Sequence, residues 1–134
     1  MVAGAACLPG EGMSDQPNQR RVLFIEDEPA LRISYERFFR PRYAMTFASS
    51  GAEALAHLAG KPPDVVVLDM RLPDTDGVDL LRRIRATRPD LPVIITTAYV
   101  SVEPQLRVLD LAHSAYLIKP FDLDELGDAI DRAV

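Results

Sequence analysis

The run Asp64-Val65-Val66-Val67-Leu68-Asp69 constrains the fold more than any other stretch of the chain. Its four branched apolar residues leave a strand no polar face, which is what a central parallel strand covered by helices on both sides requires. Val93-Ile94-Ile95 is apolar on both faces in the same way. Strand-like runs at about 21–26, 43–48, 64–69, 92–97 and 115–118 alternate with helical patterns at about 29–40, 51–59, 78–87, 102–112 and 123–133. Five βα units in succession predict an α/β fold. Right-handed crossovers make it a doubly wound, five-stranded parallel sheet with helices on both faces.

Local punctuation agrees with these boundaries. Pro29 suits a first helical turn, Ser49 or Ser50 caps the second helix, and Gly60 closes it. Leu31, Tyr35, Phe38 and Phe39 form one stripe of the first helix. In the third, Val78, Leu81, Ile84 and Arg85 begin the stripe, and Leu80 and Leu81 widen its apolar face.

At 134 residues the chain has room for one domain, which buries roughly two-thirds of its unfolded surface. Residues 1–19 are rich in Gly, Ala, Pro and small polar types and read as a disordered tail, leaving 20–134 as the domain. The tail has no secretory pattern, and Met13 within it offers a second start site. Charged residues are 26% and the formal net charge is −5, which disfavours direct nucleic-acid binding. No apolar stretch reaches the roughly 18 residues of a membrane span. The single cysteine, Cys7, has no internal disulfide partner, in keeping with a reducing cytoplasm.

The chemistry gathers at strand ends. Glu26-Asp27-Glu28 closes the first apolar run, Asp69 the third, and Lys119 follows the last. Ligands of an open parallel sheet bind outside the carboxyl ends of strands, where strand order reverses; in a 2-1-3-4-5 order that point brings Asp27 beside Asp69. Carboxylates so placed either share protons or bind a cation. Oxygen ligands favour Mg²⁺, Mn²⁺ or Ca²⁺, and a small two-carboxylate site with room for water and phosphate suits Mg²⁺ best. Neither Cys7 nor the histidines, His57 and His113, are placed to be ligands. Thr96-Thr97-Ala98 sets a hydroxyl beside a small residue at the end of the fourth strand, where it can bond a phosphoryl oxygen. Each feature also has an ordinary explanation: acids that cap and charge a helix start, a loop carboxylate, a solvated lysine, a threonine that favours strands, and a packed Tyr116 with a wet hydroxyl. Their coincidence at strand ends favours the functional reading.

Four segments, in order and spacing, carry a resemblance: Val22-Leu23-Phe24-Ile25-Glu26-Asp27-Glu28-Pro29, Val65 through Gly77, Thr97-Ala98, and Tyr116-Leu117-Ile118-Lys119-Pro120-Phe121. Over about residues 20–134 the chain resembles the receiver domain of bacterial two-component response regulators, of the stand-alone chemotaxis-regulator kind. The resemblance implies the flavodoxin-like strand order 2-1-3-4-5. It further implies that Asp69 accepts a phosphoryl group from the phosphohistidine of a sensor kinase, or from a phosphotransfer protein or small phosphodonor. Asp27, Asp69 and the backbone carbonyl of Arg71 would hold Mg²⁺, or Mn²⁺ in its place, with Glu26 acting through water. Lys119 and Thr97 would bind the phosphoryl oxygens beside Ala98, and Tyr116 would turn inward as the switch. Arg71 and Tyr99 would flank the attacking water, their bulk slowing dephosphorylation. The signalling face would be the 102–112 helix, the 115–118 strand and the 123–133 helix. With no output domain after it, the chain would act on a separate protein, as a monomer or a weak phosphorylation-dependent homodimer. Moving such a switch from 1:99 to 99:1 takes about 5.5 kcal/mol.

Departures from the family pattern fall on the element expected to move: Ala112-His113 replaces the usual Gly-Ala, and Pro104 lies early in the helix at 102–112. His113 reads as a lone surface histidine rather than a pH sensor or relay residue. The arginines at 32, 37, 40 and 42 and at 82, 83, 85 and 88 read as solvated helix faces, with Arg32 and its neighbours as candidate kinase contacts. Two other functions compete on the same topology. An aspartate-based phosphatase resembles Asp-x-Asp, but Arg71 stands at the second acid, so the chemistry stops at self-modification and the chain is no enzyme towards other substrates. A flavin carrier or oxidoreductase would need a glycine-rich phosphate turn. The remaining alternative is a phosphorylation-independent scaffold, against which the set Asp27, Asp69, Thr97 and Lys119 argues.

Overall fold

The computed structural model describes residues 19–98 and 115–133. Within them the elements run β1 (Arg20–Ile25), α1 (Pro29–Phe39), β2 (Tyr43–Ala48), α2 (Gly51–Ala59), β3 (Val65–Asp69), α3 (Gly77–Thr87), β4 (Val93–Thr97), β5 (Ala115–Ile118) and α4 (Leu123–Ala133). The tail expected at 1–19 falls almost wholly outside the described residues, as do Met13 and Cys7. So do Tyr99, the helix expected at 102–112 with Pro104, and Ala112-His113.

All five strands are parallel in the order β2-β1-β3-β4-β5. Residues Val65 to Leu68 are wholly buried because alternate side chains enter two separate apolar layers. Val66 and Leu68 join Leu23, Ile25, Val93 and Ile95 under α2 and α3, against Ala54, Leu58, Leu80, Leu81 and Ile84. Val65 and Val67 join Val22, Phe24 and Ile94 under α1 and α4, against Tyr35, Phe39, Leu126 and Ile130. Phe24 anchors the second layer, stacking on Tyr35 at 4.9 Å and on Phe47 at 5.3 Å between ring centroids.

α1 is rolled about its axis relative to the expected stripe. Its buried line runs through Tyr35 and Phe39, one turn apart, whereas Phe38 is 38% exposed and meets Phe39 edge-on at 5.0 Å. Successive residues are about 100° apart round a helix, so Phe38 and Phe39 cannot both face the sheet squarely. The arginines too are less uniformly solvated than expected. Arg85 is half-buried and donates to the carbonyls of Arg88 and Leu91, and Arg42 lies over the rings of Phe39 and Tyr43 while donating to Asp131 on α4 at 2.8 Å. Tyr43 donates to the same carboxylate at 2.7 Å, so α4 is tied to the start of β2.

The helix starts follow their capping chemistry. Ser50 accepts from the Glu53 N–H at 3.1 Å, while Glu53 accepts from the N–H and hydroxyl of Ser49. Asp76 caps α3 by accepting from the Asp79 N–H at 2.8 Å. Glu28 stands at the start of α1 without a side-chain cap, so the acidic run after β1 does not serve that helix as a capping residue would.

Gly77 is where the chain leaves the loop after β3. Its N–H donates to the Met70 carbonyl at 2.8 Å, and a Cβ there would lie 2.6 Å from Met70 Cα and 2.5 Å from its methyl carbon. Gly77→Ala is therefore expected to destabilise the fold by about 1–3 kcal/mol, because a backbone atom as well as a side chain must move. Urea unfolding checks this, and an unchanged midpoint would contradict the close approach.

Candidate functional site

Parallel register brings several strand ends to one level. Asp69 pairs with Thr96, and Glu26 follows one step beyond the Ile25–Leu68 pair. The Glu26 N–H donates to Ala48 at the end of β2, which keeps the strand direction through Glu26 and holds its carboxylate at the sheet mouth. The next residue, Asp27, is exposed. Glu26, Asp27 and Asp69 each offer a carboxylate oxygen within 4.8 Å of the others. From beyond β5, Lys119 Nζ reaches Glu26 Oε1 at 3.2 Å and Asp69 Oδ2 at 3.4 Å. The peptide between Lys119 and Pro120 is cis.

These groups line a cleft of about 440 Å³ together with Glu28, Arg71, Leu72, Pro73 and Ala98. Glu26 is 2% exposed and Asp69 5%, so their charges sit almost out of water. Burial, followed by the charge of Asp69, pushes the Glu26 carboxyl up to about 7, although Lys119 and the Glu28 N–H pull the other way. For Lys119, burial alone would lower its pKa, but Asp69 and Glu26 outweigh it and the net shift is upward. The lysine therefore stays charged. Three carboxyl groups against one ammonium leave an excess of negative charge in a small, oxygen-lined space, which fits a hard divalent cation in donor type and in charge.

The expected residues fall into three groups. Glu26, Asp27, Asp69, Arg71, Ala98 and Lys119 line the cleft together. The Arg71 N–H lies 3.4 Å from Asp69 Oδ1, and its side chain is exposed. Thr97 ends β4 fully buried, and Tyr116 is partly buried against the layer under α2 and α3; neither lines the cleft. Tyr99 lies outside the described residues. His57 is exposed on α2 and is not part of the carboxylate group.

Sequence reasoning passed over Glu28, Leu72 and Pro73 as walls of the cleft, though all three lie within two residues of ones it did select. It also passed over Asp74, whose carboxylate accepts from the Gly51 N–H at 2.8 Å and the Ala52 N–H at 3.0 Å. Asp74 falls within the Val65–Gly77 segment singled out in the sequence, but its partner on α2 was not legible there.

Comparison with known proteins fits this geometry. The family model described as the response regulator receiver domain matches residues 22–131. Response regulator MprA of Mycobacterium sp. (strain KMS) is 40% identical over 107 residues, covering 79% of this chain and 46% of that protein. The chain thus spans about half the length of the curated relatives it matches. Among solved structures, a CheY-like response regulator receiver domain protein from Methanospirillum hungatei JF-1 is 27% identical with a TM-score of 0.79, covering 86% of this chain and 93% of that one. The response regulator TrrA from Thermotoga maritima, in complex with Mg²⁺-BeF, is 28% identical with a TM-score of 0.78, covering 87% and 100%. With the strand order, the family match and these relatives in agreement, the chain belongs to the receiver domains of two-component response regulators.

Proposed function

We propose that the chain is a Mg²⁺-dependent phosphoryl acceptor, with Asp69 as the residue modified. The observation that carries this reading is the placement of one nearly buried carboxylate, Asp69, within 3.4 Å of an ammonium and within 4.8 Å of oxygens on two further acids. A carboxylate oxygen of Asp69 attacks phosphorus, the bond from phosphorus to the donor's imidazole nitrogen breaks, and the donor leaves as its phosphoryl group becomes an acyl phosphate. The same step with acetyl phosphate breaks a P–O bond and releases acetate. Lys119 remains protonated and neutralises charge growing on the transferred oxygens. Asp27, Asp69 and the Arg71 carbonyl would hold the metal, with Glu26 acting through water. When bound, the metal supplies further neutralisation of the carboxylates and the phosphoryl group.

Thr97 is the candidate hydroxyl that bonds the new phosphoryl group, next to the small Ala98, and Tyr116 is the candidate side chain that follows it. Arg71 and Tyr99 are proposed to restrain the attacking water and lengthen the life of the acyl phosphate. The donor is a histidine kinase or phosphotransfer protein, as the general role of the family has it. The responding protein would read β5, α4 and the 102–112 segment. None of the helices among the described residues is long and apolar enough to cross a membrane.

Incubation with Mg²⁺ and acetyl phosphate should add one phosphoryl group by intact mass, and Asp69→Asn should abolish the adduct. An Asp69→Asn protein labelled as well as the wild type would refute the assignment. A second expectation comes from the acidic cluster. The folded-state pKa of Glu26, about 7, stands above its ordinary 4.5, so ionisation opposes folding increasingly as pH rises between those values. In metal-free buffer the stability of Glu26→Gln relative to wild type should therefore rise from pH 4.5 to about pH 7 and then level off. A gain that does not grow with pH, measured by urea unfolding, would contradict the electrostatic picture.

A further inference from the structure

Residues 70–77 form a closed loop that walls the cleft. Its base is fastened by the Gly77 N–H on the Met70 carbonyl and by an antiparallel bridge between Arg71 and Asp76. Asp76 commits the far side of the base to α3 as its cap. Arg71, Leu72 and Pro73 face the cleft. The tip of the loop, Pro73-Asp74-Thr75, lies against the first turn of α2 rather than against its own helix. There the two oxygens of Asp74 accept from the two leading amides of α2, Oδ1 from Gly51 and Oδ2 from Ala52.

This is a second set of caps on a helix that already has its own. Ser50 receives the Glu53 N–H, so Asp74 takes the two donors that Ser50 leaves open. The approach is close: a Cβ on Gly51 would lie 2.6 Å from Thr75 Cγ2 and 3.4 Å from Asp74 Oδ1, so the Thr75 side chain would have to shift. Both N–H bonds hold the Asp74 carboxyl below the usual range, the Gly51 bond first, so the acceptor is ionised at neutral pH. An aspartate at this position is not required to build the turn; any turn-forming residue would do. What the carboxylate adds is a brace between two elements more than 20 residues apart in sequence.

We propose that Asp74 is a positioning residue of the phosphoryl-acceptor site: by pinning the loop tip to α2 it holds the Arg71 backbone at the cleft and so sets the affinity for the divalent cation. This rests on the reading of Asp27, Asp69 and the Arg71 carbonyl as the metal ligands, with Glu26 acting through water. Groups that orient metal ligands commonly change affinity by about 10–100-fold when removed, and loss of this brace is expected at the lower end of that range.

The test is calorimetric titration with MgCl₂ of the wild type, Asp74→Ala, Asp74→Asn and Asp131→Asn. Asp131→Asn weakens the clamp that Asp131 makes with Arg42 and Tyr43 at another corner of the fold, leaving it one acceptor oxygen, and serves as the control for lost stability and lost charge. Asp74→Ala should bind Mg²⁺ about tenfold more weakly and Asp131→Asn as tightly as wild type. Asp74→Asn should fall between, because it keeps one acceptor oxygen while losing the same charge. Amide hydrogen exchange at Gly51 and Ala52 should accelerate in Asp74→Ala. At saturating Mg²⁺, labelling by acetyl phosphate should return to within about twofold of wild type. Unchanged affinity in Asp74→Ala would overturn the proposal, and so would equal losses in the Ala and Asn variants, which would reduce the effect to charge. Failure of the wild type itself to bind Mg²⁺ would instead overturn the metal-site reading on which the proposal stands.

Discussion

Two like charges held almost out of water dominate this molecule. Glu26 and Asp69 end neighbouring strands, and their carboxylates meet at the sheet mouth with only Lys119 within ion-pair distance of both among the described residues. Such an arrangement opposes folding, as the upward shift of Glu26 shows. It persists because the backbone that carries it is fixed by something stronger: the parallel hydrogen-bonded register of β1, β3 and β4 and the two apolar layers beneath it. The site is a strained charge cluster borne by a rigid sheet, a division between stability and function that makes any neutralising ligand a stabilising one.

The two faces of the sheet are not equivalent in what they do for that cluster. The layer under α1 and α4 is aromatic and continuous, from Phe24 through Tyr35 and Phe39 to Tyr43, and it is locked at its rim by Arg42 and Asp131. The layer under α2 and α3 is largely aliphatic, with Tyr116 against it, and the loop of residues 70–77 bears on it through Met70 and Leu72. The loop is also the one that walls the cleft. Asp74 ties that loop to α2 by two hydrogen bonds, whereas α1 is held by a stack of rings.

Legibility in the sequence followed the range of the interactions. The strands were readable because Val65 to Leu68 and Val93 to Ile95 leave no polar face, and α2 because the serines at 49 and 50 and Gly60 mark its ends locally. Glu26, Asp27, Asp69, Ala98 and Lys119 were readable because strand ends carry the ligands of an open parallel sheet, whereas Arg71 was readable only through the family resemblance. Which acid of Glu26-Asp27-Glu28 would be buried was not readable: that depends on Glu26 continuing the β1 ladder by one more bond to Ala48. Phe38 was misjudged because a stripe through Leu31, Tyr35 and Phe38 and a line through Tyr35 and Phe39 are equally helical, and only packing on Phe24 and Tyr43 selects the second. Asp74 was invisible for a different reason, since its partners come near only after β1 has been placed between β2 and β3.

The most direct measurement of the central claim is a structure of the chain soaked with Mg²⁺ and beryllium trifluoride, a stable stand-in for a phosphoryl group. The account predicts beryllium bonded to an oxygen of Asp69, its fluorines facing Lys119 and the Thr97 hydroxyl, with Mg²⁺ held by Asp27, Asp69 and the Arg71 carbonyl. A cleft that stays empty at saturating concentrations, or a metal bound away from Asp27 and Asp69, would contradict it.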